Sequence, residues 1–340
     1  MAVRRFQGLF SVPRDATPPA RRLLRGARAV LQQAGYRPEA GALIVAISGG
    51  ADSSAALHAV ATLAARWRER IVGAWFDHRM RGGAASHAER AAVRRLSEHC
   101  GVRLREGAAN MPLRSEAAAR MGRYRWLGEL ARAEGAAAVV TGHTYEDQVE
   151  TVILRLLRGA GLAGLRGMAA VDPWPLGEGP PVLRPLLRST HAEVLAYCDA
   201  AGIRHVEDET NRSERFLRNR VRWELRPLLR ELNSGAERHL VAVAEEARDA
   251  YRALLDAAGL DPRAEALSCA ALRSAGPAAG LAATAAWLAA RGVSVDRRVA
   301  RQATRLAERG AGSLAVRGGS LEVRDGALRL VRGGEGDATR

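Results

Sequence analysis

Two short stretches hold residues whose types and spacing suit chemistry rather than packing alone. The first is Ser48-Gly49-Gly50-Ala51-Asp52-Ser53, which follows the continuous apolar run Ala42–Ile47. Two glycines let a chain turn sharply out of a buried strand, so that successive backbone N–H groups point one way. The start of a following helix adds its own free N–H groups and the positive end of its dipole. Ser48, Gly49, Gly50 and Ser53 thus form a candidate pyrophosphate cradle. Asp52 is out of place in a bare anion site and makes sense where a magnesium ion bridges it to phosphates. The plain alternative is a glycine-rich turn with a helix cap.

The second stretch is Gly142-His143-Thr144-Tyr145-Glu146-Asp147-Gln148-Val149-Glu150-Thr151. Asp147 and Glu150 are three apart, and His143 and Asp147 four apart, so a helix that begins early puts them on one face. Carboxylates beside a histidine suit metal binding, proton transfer or recognition of an amino group. A first helical turn enriched in acids for dipole and capping reasons has the same appearance. Two further groups are mostly basic. His78 lies in Asp77-His78-Arg79-Met80-Arg81-Gly82, at the end of a predicted strand, where a buried, hydrogen-bonded histidine is the alternative to a ligand contact. Arg120 and Arg123 neighbour each other on a predicted helix and could grip phosphates. Arg218 and Arg222, four apart, follow Asp208-Glu209-Thr210-Asn211 and flank Asn219; they could hold nucleic-acid phosphates, close the nucleotide site, or salt-bridge an interdomain helix.

These residues need elements to hold them. Short apolar runs at 42–47, 71–76, 102–105 and 136–141 alternate with helical patterns at 20–35, 84–100, 115–134 and 146–157. That alternation predicts an α/β fold, a doubly wound, mostly parallel sheet. Ligands in such sheets sit at the C-terminal strand ends, where both stretches fall. Residues 159–179 read as a long loop, 188–202 as a helix and 216–234 as a linking helix. A smaller α+β C-terminal domain over 235–333 carries helices at 236–257, 277–291 and 296–309. Its tail alternates apolar and polar residues around Gly318-Gly319 and Asp325-Gly326, a hairpin signature. The first domain spans 20–215, preceded by an arm at 1–19; the glycine-rich end, 334–340, reads as disordered.

The chain is long enough for about two domains at roughly 150 residues each. It is 47% hydrophobic but only 4% aromatic, so the core must rest on Ala, Leu and Val. Its formal charge of +15 and pI near 11.1 point to a polyanionic partner. All 52 basic residues are Arg, which excludes a phosphate loop that requires Lys. Any phosphate cradle must use backbone amides, guanidinium forks and a metal. Cys100, Cys198 and Cys269 are scattered and form no C-x-x-C, so no zinc or iron–sulfur site is readable. No apolar run of ~18 residues and no signal peptide are read, which gives a cytoplasmic protein with no membrane partner.

The Ser48–Ser53 loop resembles that of the pyrophosphatase-loop ATP enzymes, which cleave ATP between the α- and β-phosphates and adenylate a carbonyl-type oxygen. The second stretch, with Leu154-Arg155-Leu156-Leu157-Arg158-Gly159 after it, narrows the resemblance to the tRNA(Ile)-lysidine synthases and related tRNA 2-thiocytidine enzymes. Glu146 stands where an Asp is more usual. Asp77–Gly82, the helix Glu116–Tyr124 with Arg120 and Arg123, and Asp208–Asn211 with Arg218-Asn219-Arg220-Val221-Arg222 extend it, from about Leu43 to Leu229. The resemblance implies a Rossmann-like fold and ATP on Ser48, Gly49, Gly50, Asp52, Ser53, His78, Gly142 and His143. It implies Mg2+ at Asp52 and Asp147, and catalysis by Asp52, Arg120, Asp147 and Glu150. Arg123, Arg218, Asn219 and Arg222 would bind tRNA, as would the C-terminal domain over 235–333. The implied reaction joins L-lysine to C2 of the wobble cytidine of tRNA(Ile) with anticodon CAU, through an adenylated cytidine. A cytidine thiolase on the same scaffold and a non-enzymatic RNA-binding protein stand as alternatives. A homodimer is left open.

Overall fold

The computed structural model describes residues 10–79, 83–113, 115–206, 217–293, 297–316 and 318–332. The arm before Phe10, the stretch 80–82, the Asp208–Asn211 segment and the tail after 332 lie outside the described residues. The chain divides into two compact units. The first takes in residues up to Glu150, Met168–Pro175 and Gly179–Arg220; the second takes in Thr151–Gly167, Leu176–Glu178 and the chain from Val221 onward.

In the first unit the elements are α1 (Pro18–Gln33), β1 (Ala42–Ile47), α2 (Ala51–Leu63), β2 (Ile71–Asp77) and α3 (Gly83–Cys100). Next come β3 (Arg103–Ala108), α4 (Glu116–Ala133), β4 (Ala136–Val140) and α5 (Tyr145–Leu157), which runs on into the second unit. After α6 (Leu162–Leu165), part of the second unit, follow β5 (Val171–Asp172), β6 (Val182–Leu183), α7 (His191–Ala200) and α8 (Leu217–Arg220). The six strands order as β3-β2-β1-β4-β6-β5, all parallel except β5, which is antiparallel to β6. Leu43, Ile44 and Val45 are wholly buried in the centre, as a strand covered on both faces requires. The edge strand β3 is half exposed and carries charge instead. Arg90 and Arg94 of α3 clamp its Glu106, and its Arg103 and Arg105 hold Glu134. Such charges keep an open edge from pairing with other strands.

The second unit contains α9 (Arg226–Leu232), α10 (Ala236–Ala258), β7 (Leu267–Ser268), α11 (Cys269–Ser274), α12 (Gly276–Ala290) and α13 (Arg297–Arg309). It closes with β8 (Ser313–Val316), β9 (Gly319–Arg324) and β10 (Ala327–Arg332), in the antiparallel order β7-β10-β9-β8. Its core gathers Leu267, Leu272, Trp287, Leu288, Leu306, Leu321 and Leu328. Asp325 and Gly326 join β9 to β10 with φ of 51° and 69°. Both central residues are left-handed, which is what a two-residue turn matching strand twist needs.

One expectation from the sequence is corrected. Residues 159–179 are not one long loop but hold α6 and β5, and β6 follows. Two-residue strands carry no periodicity to read. The linking helix is present over 217–232, with a π turn at Val221–Leu225 between α8 and α9. The short β7 and α11 were likewise without a sequence signal; a serine cap, Ser268 accepting from the Ala271 amide, starts α11. Among the described residues no helix is long and apolar enough to cross a membrane.

Candidate active site

Strand order fixes where the two motifs meet. The chain moves outward from β1 to β2 and β3, then returns to the other side of β1 to lay down β4. Between β1 and β4 the winding reverses, and a crevice opens at their carboxyl ends. Ser48–Asp52 leaves β1 there, and Gly142–Tyr145 leaves β4 beside it. A Cβ built on Gly142 would stand 2.7 Å from the Asp52 carbonyl oxygen and 2.8 Å from Ser53 Cα. Only glycine lets these two loops approach so closely.

The first loop is set by its own hydroxyls. The Ser48 amide donates to Ser53 Oγ at 3.0 Å, Ser53 Oγ donates to the Gly50 carbonyl at 3.1 Å, and the two hydroxyls lie 3.1 Å apart. Gly49 takes φ +87°, and its carbonyl accepts from the Val206 amide at 2.9 Å. Gly50 caps α2 in extended conformation. The amides of the first turn of a helix have no intrahelical acceptor, so this turn offers N–H groups to an anion. Asp52 Oδ1 lies 2.9 Å from His191 Nδ1, while Oδ2 has no protein partner among the described residues. One open carboxylate oxygen beside a phosphate cradle fits magnesium, which takes few protein ligands and fills its shell with phosphate oxygens and water. Among the described residues no three His, Cys, Asp or Glu side chains group to hold a metal by themselves.

The second motif is held from several sides. Thr144 donates its amide to Asp147 Oδ2 at 3.0 Å, closing the first turn of α5. Arg218 of α8 then forks across two carboxylates, with its terminal nitrogen 2.8 Å from Asp147 Oδ1 and Nε 2.8 Å from Glu150 Oε2. Glu150 is wholly buried, so its charge is neutralised where water cannot reach it. Gln148 exchanges two hydrogen bonds with the backbone of Met168, fixing the segment that leads to β5. His143 Nδ1 lies 2.8 Å from Thr141 Oγ1. Burial pushes its pKa down to about 3; the Asp147 charge opposes this, and the Arg184, Arg120 and Arg123 guanidiniums add to it. The imidazole is therefore neutral.

Arg120 and Arg123 stand over the buried Tyr124 ring, at 5.0 and 5.9 Å from its centroid. Their charges help lower the His143 pKa. His78 packs edge-on against Phe76 at 5.0 Å, and its carbonyl accepts from the Leu113 amide. Neighbouring Asp77 takes the Arg79 amide and the Ser86 hydroxyl, each at 2.7 Å. Asn219 is half-buried on α8, and Arg222 lies past it, in the π turn of the second unit.

Two residues escaped sequence reasoning. His191 opens α7, where Thr190 and Glu193 form a reciprocal capping box. Its side chain meets Asp52, and its backbone amide donates to Glu146 Oε2 at 2.9 Å, so one residue ties the two motifs together. Arg184, buried at the end of β6, bonds the Ala169 carbonyl at 2.8 Å and Asp172 at 2.7 Å. The T-x-x-E string at 190–193 was a readable helix start. Nothing local marked what it would face.

The chain matches the PP-loop domain family over residues 23–229. It is 44% identical over 199 residues to a tRNA(Ile)-lysidine synthase of Gloeobacter violaceus, covering 58% of this chain and 59% of that protein. It is 39% identical over 252 residues to one of Salinispora tropica, covering 73% and 72%. The chain spans only about half of some curated relatives it matches, such as 48% of that of Geobacter sulfurreducens. Among solved structures, the U34-tRNA thiolase NcsA of Methanococcus maripaludis shares the fold at a TM-score of 0.55 and 13% identity, over 67% of this chain and 79% of that one.

Proposed function

The chain belongs to the PP-loop family and, within it, to the tRNA(Ile)-lysidine synthases, and from that premise we propose that it joins L-lysine to C2 of the wobble cytidine of tRNA(Ile) with anticodon CAU. The observation that carries the reading is the Gly142 contact, which seats an acid-bearing helix start directly against a phosphate cradle.

In this scheme the first-turn amides of α2 and the Ser48 hydroxyl hold the leaving pyrophosphate of ATP. Asp52 would hold a magnesium ion through its open carboxylate oxygen, and the ion would neutralise phosphate charge. The C2 oxygen of cytidine attacks the α-phosphate, and pyrophosphate departs. Arg120 and Arg123, exposed or half-buried on α4, meet phosphate charge as it develops. The lysine side-chain ammonium then passes a proton to the Asp147 carboxylate, and the freed amine attacks C2 as the C2–O bond breaks and AMP leaves. Asp147, Glu150 and Arg218 together carry one net negative charge, which suits the cationic end of lysine. Both Asp147 oxygens already have protein donors, so we assign it to lysine rather than to magnesium. Neutral His143 receives a hydrogen bond from substrate or donates one without adding charge. The modified base pairs with A instead of G.

The thiolase alternative gains nothing from the cysteines. Cys100, Cys198 and Cys269 are buried. Burial pushes the Cys100 and Cys198 thiols up to about 11 and about 12, far from the thiolate a sulfur relay needs. The test is incorporation of radiolabelled lysine into an unmodified tRNA(Ile) transcript with ATP and magnesium. Labelling is expected with this tRNA, not with elongator tRNA(Met), and not by Asp52→Ala. Pyrophosphate release on tRNA without lysine labelling would keep the adenylation step and sink the proposed nucleophile.

A further inference from the structure

We propose that Glu146 is a positioning residue for Asp52, acting through His191, so that the second motif sets the carboxylate beside the phosphate cradle; reading the ligand of that carboxylate as magnesium–ATP rests on the function proposed above. Glu146 lies half-buried in the first turn of α5. Its neighbour Asp147 serves Thr144 and Arg218, and Glu150 serves Arg218. Glu146 reaches instead to α7, where its Oε2 accepts from the His191 amide at 2.9 Å. That amide is the first of the helix. The capping box satisfies the Thr190 and Glu193 amides and leaves the one at 191 to an outside acceptor. A carboxylate suits it, because it meets the positive end of the helix dipole. The Tyr145 amide donates to the Ser189 carbonyl at 2.9 Å, so the start of α5 holds both ends of 189–191.

Side-chain length decides this contact. An aspartate at 146 is shorter by one carbon–carbon bond, about 1.5 Å, and a 2.9 Å hydrogen bond stretched that far no longer exists. On its other side His191 places Nδ1 2.9 Å from Asp52 Oδ1. The backbone and ring of one histidine are joined through two side-chain torsions, the first held in discrete wells, so a displaced backbone takes its ring along. Glu146, His191 and Asp52 therefore form a chain of two hydrogen bonds from α5 to α2. It uses a glutamate at the position where the sequence pattern usually has aspartate.

A glutamate that only caps α7 would stabilise the helix whether or not residue 191 carries an imidazole. The experiment separates the two roles. Binding of magnesium with α,β-methylene-ATP to the full chain is measured by calorimetry for wild type, E146D, E146Q, H191A and E146D/H191A. E146D is expected to weaken binding about 3- to 10-fold. E146Q keeps the length and an acceptor oxygen, and should bind as the wild type does. In the H191A background E146D should cost nothing further, because the path to Asp52 is already cut. Wild-type binding by a folded E146D overturns the proposal. So does an E146D loss of equal size in both backgrounds, which is the signature of a cap alone. Amide hydrogen exchange on the unaltered chain guards against variants that fail to fold: the magnesium–analogue complex should slow exchange at the His191 amide, and an unchanged rate there also overturns the proposal. None of these measurements needs lysine or tRNA. Binding that follows this pattern without lysine labelling sinks the proposed function and leaves the Glu146 role standing; labelling with binding indifferent to Glu146 does the reverse.

Discussion

Asp52 and His191 are 139 residues apart in sequence and 2.9 Å apart in space. The histidine holds one carboxylate oxygen and leaves the other without a protein partner among the described residues. Hydrogen bonds to charged groups contribute about 1.5–3 kcal/mol, so His191→Ala should raise the KM for magnesium–ATP by roughly 10-fold or more. His191→Asn places an amide nitrogen near the lost Nδ1 and should recover most of the effect. An unchanged KM in the alanine variant would show that Asp52 needs no such hold. The motif residues were legible because each is local: two glycines, an aspartate and serines inside six positions, or acids three apart. His191 and Arg184 were not, because each acts through a contact that only the folded sheet creates.

At the scale of elements, Arg218 anchors α8 to α5. Arg218 spans Asp147 and Glu150 with two different nitrogens, a geometry that an ammonium cannot copy. Arg218→Ala removes the guanidinium that the buried Glu150 shares with Asp147 and should destabilise the chain by about 3–5 kcal/mol in urea unfolding. Arg218→Lys should keep part of that stability yet raise the KM for lysine. Wild-type behaviour of the Lys variant in both measurements would mean that charge alone, not the fork, is required. Long, strongly patterned elements such as α4 and β1 were readable from sequence. The π turn inside the linking helix was not, since it differs from an α turn by one residue and leaves no mark in composition. Such turns recur where a helix bends around a functional group, and this one follows directly on Arg218 and Asn219.

For the molecule as a whole, acid is the expected weak point. His58 is packed under α7, with Nδ1 2.8 Å from the Tyr197 hydroxyl. Burial first, then the neighbouring His99 and Arg68, lowers its pKa to about 4. The unfolded chain takes up this proton near its ordinary value, about 6.5, and the folded chain does not until about 4. Stability is therefore full above ~6.5 and falls as pH drops toward ~4, by roughly 3 kcal/mol from this group alone. His143, lowered further, acts in the same direction. In His58→Gln the loss of stability between pH 7 and pH 5 should shrink by about 2 kcal/mol; an unaltered loss would place the acid sensitivity elsewhere. The doubly wound class followed from alternating runs, and the charge pointed to a polyanion. The strand order did not follow, because β1 pairs with β4 across 94 intervening steps of chain that no local pattern encodes.

That long-range pairing governs when the site comes into being. Ala42 meets Ala136, and the Gly49 carbonyl waits for the Val206 amide, so the crevice has no walls until most of the first unit has been synthesised. Contacts so distant along the chain form slowly and together. A ribosome-bound chain ending before Val206 lacks the last of them and should bind no nucleotide. Because a ligand that binds only the folded form stabilises it by mass action, ATP would then select finished molecules from unfinished ones.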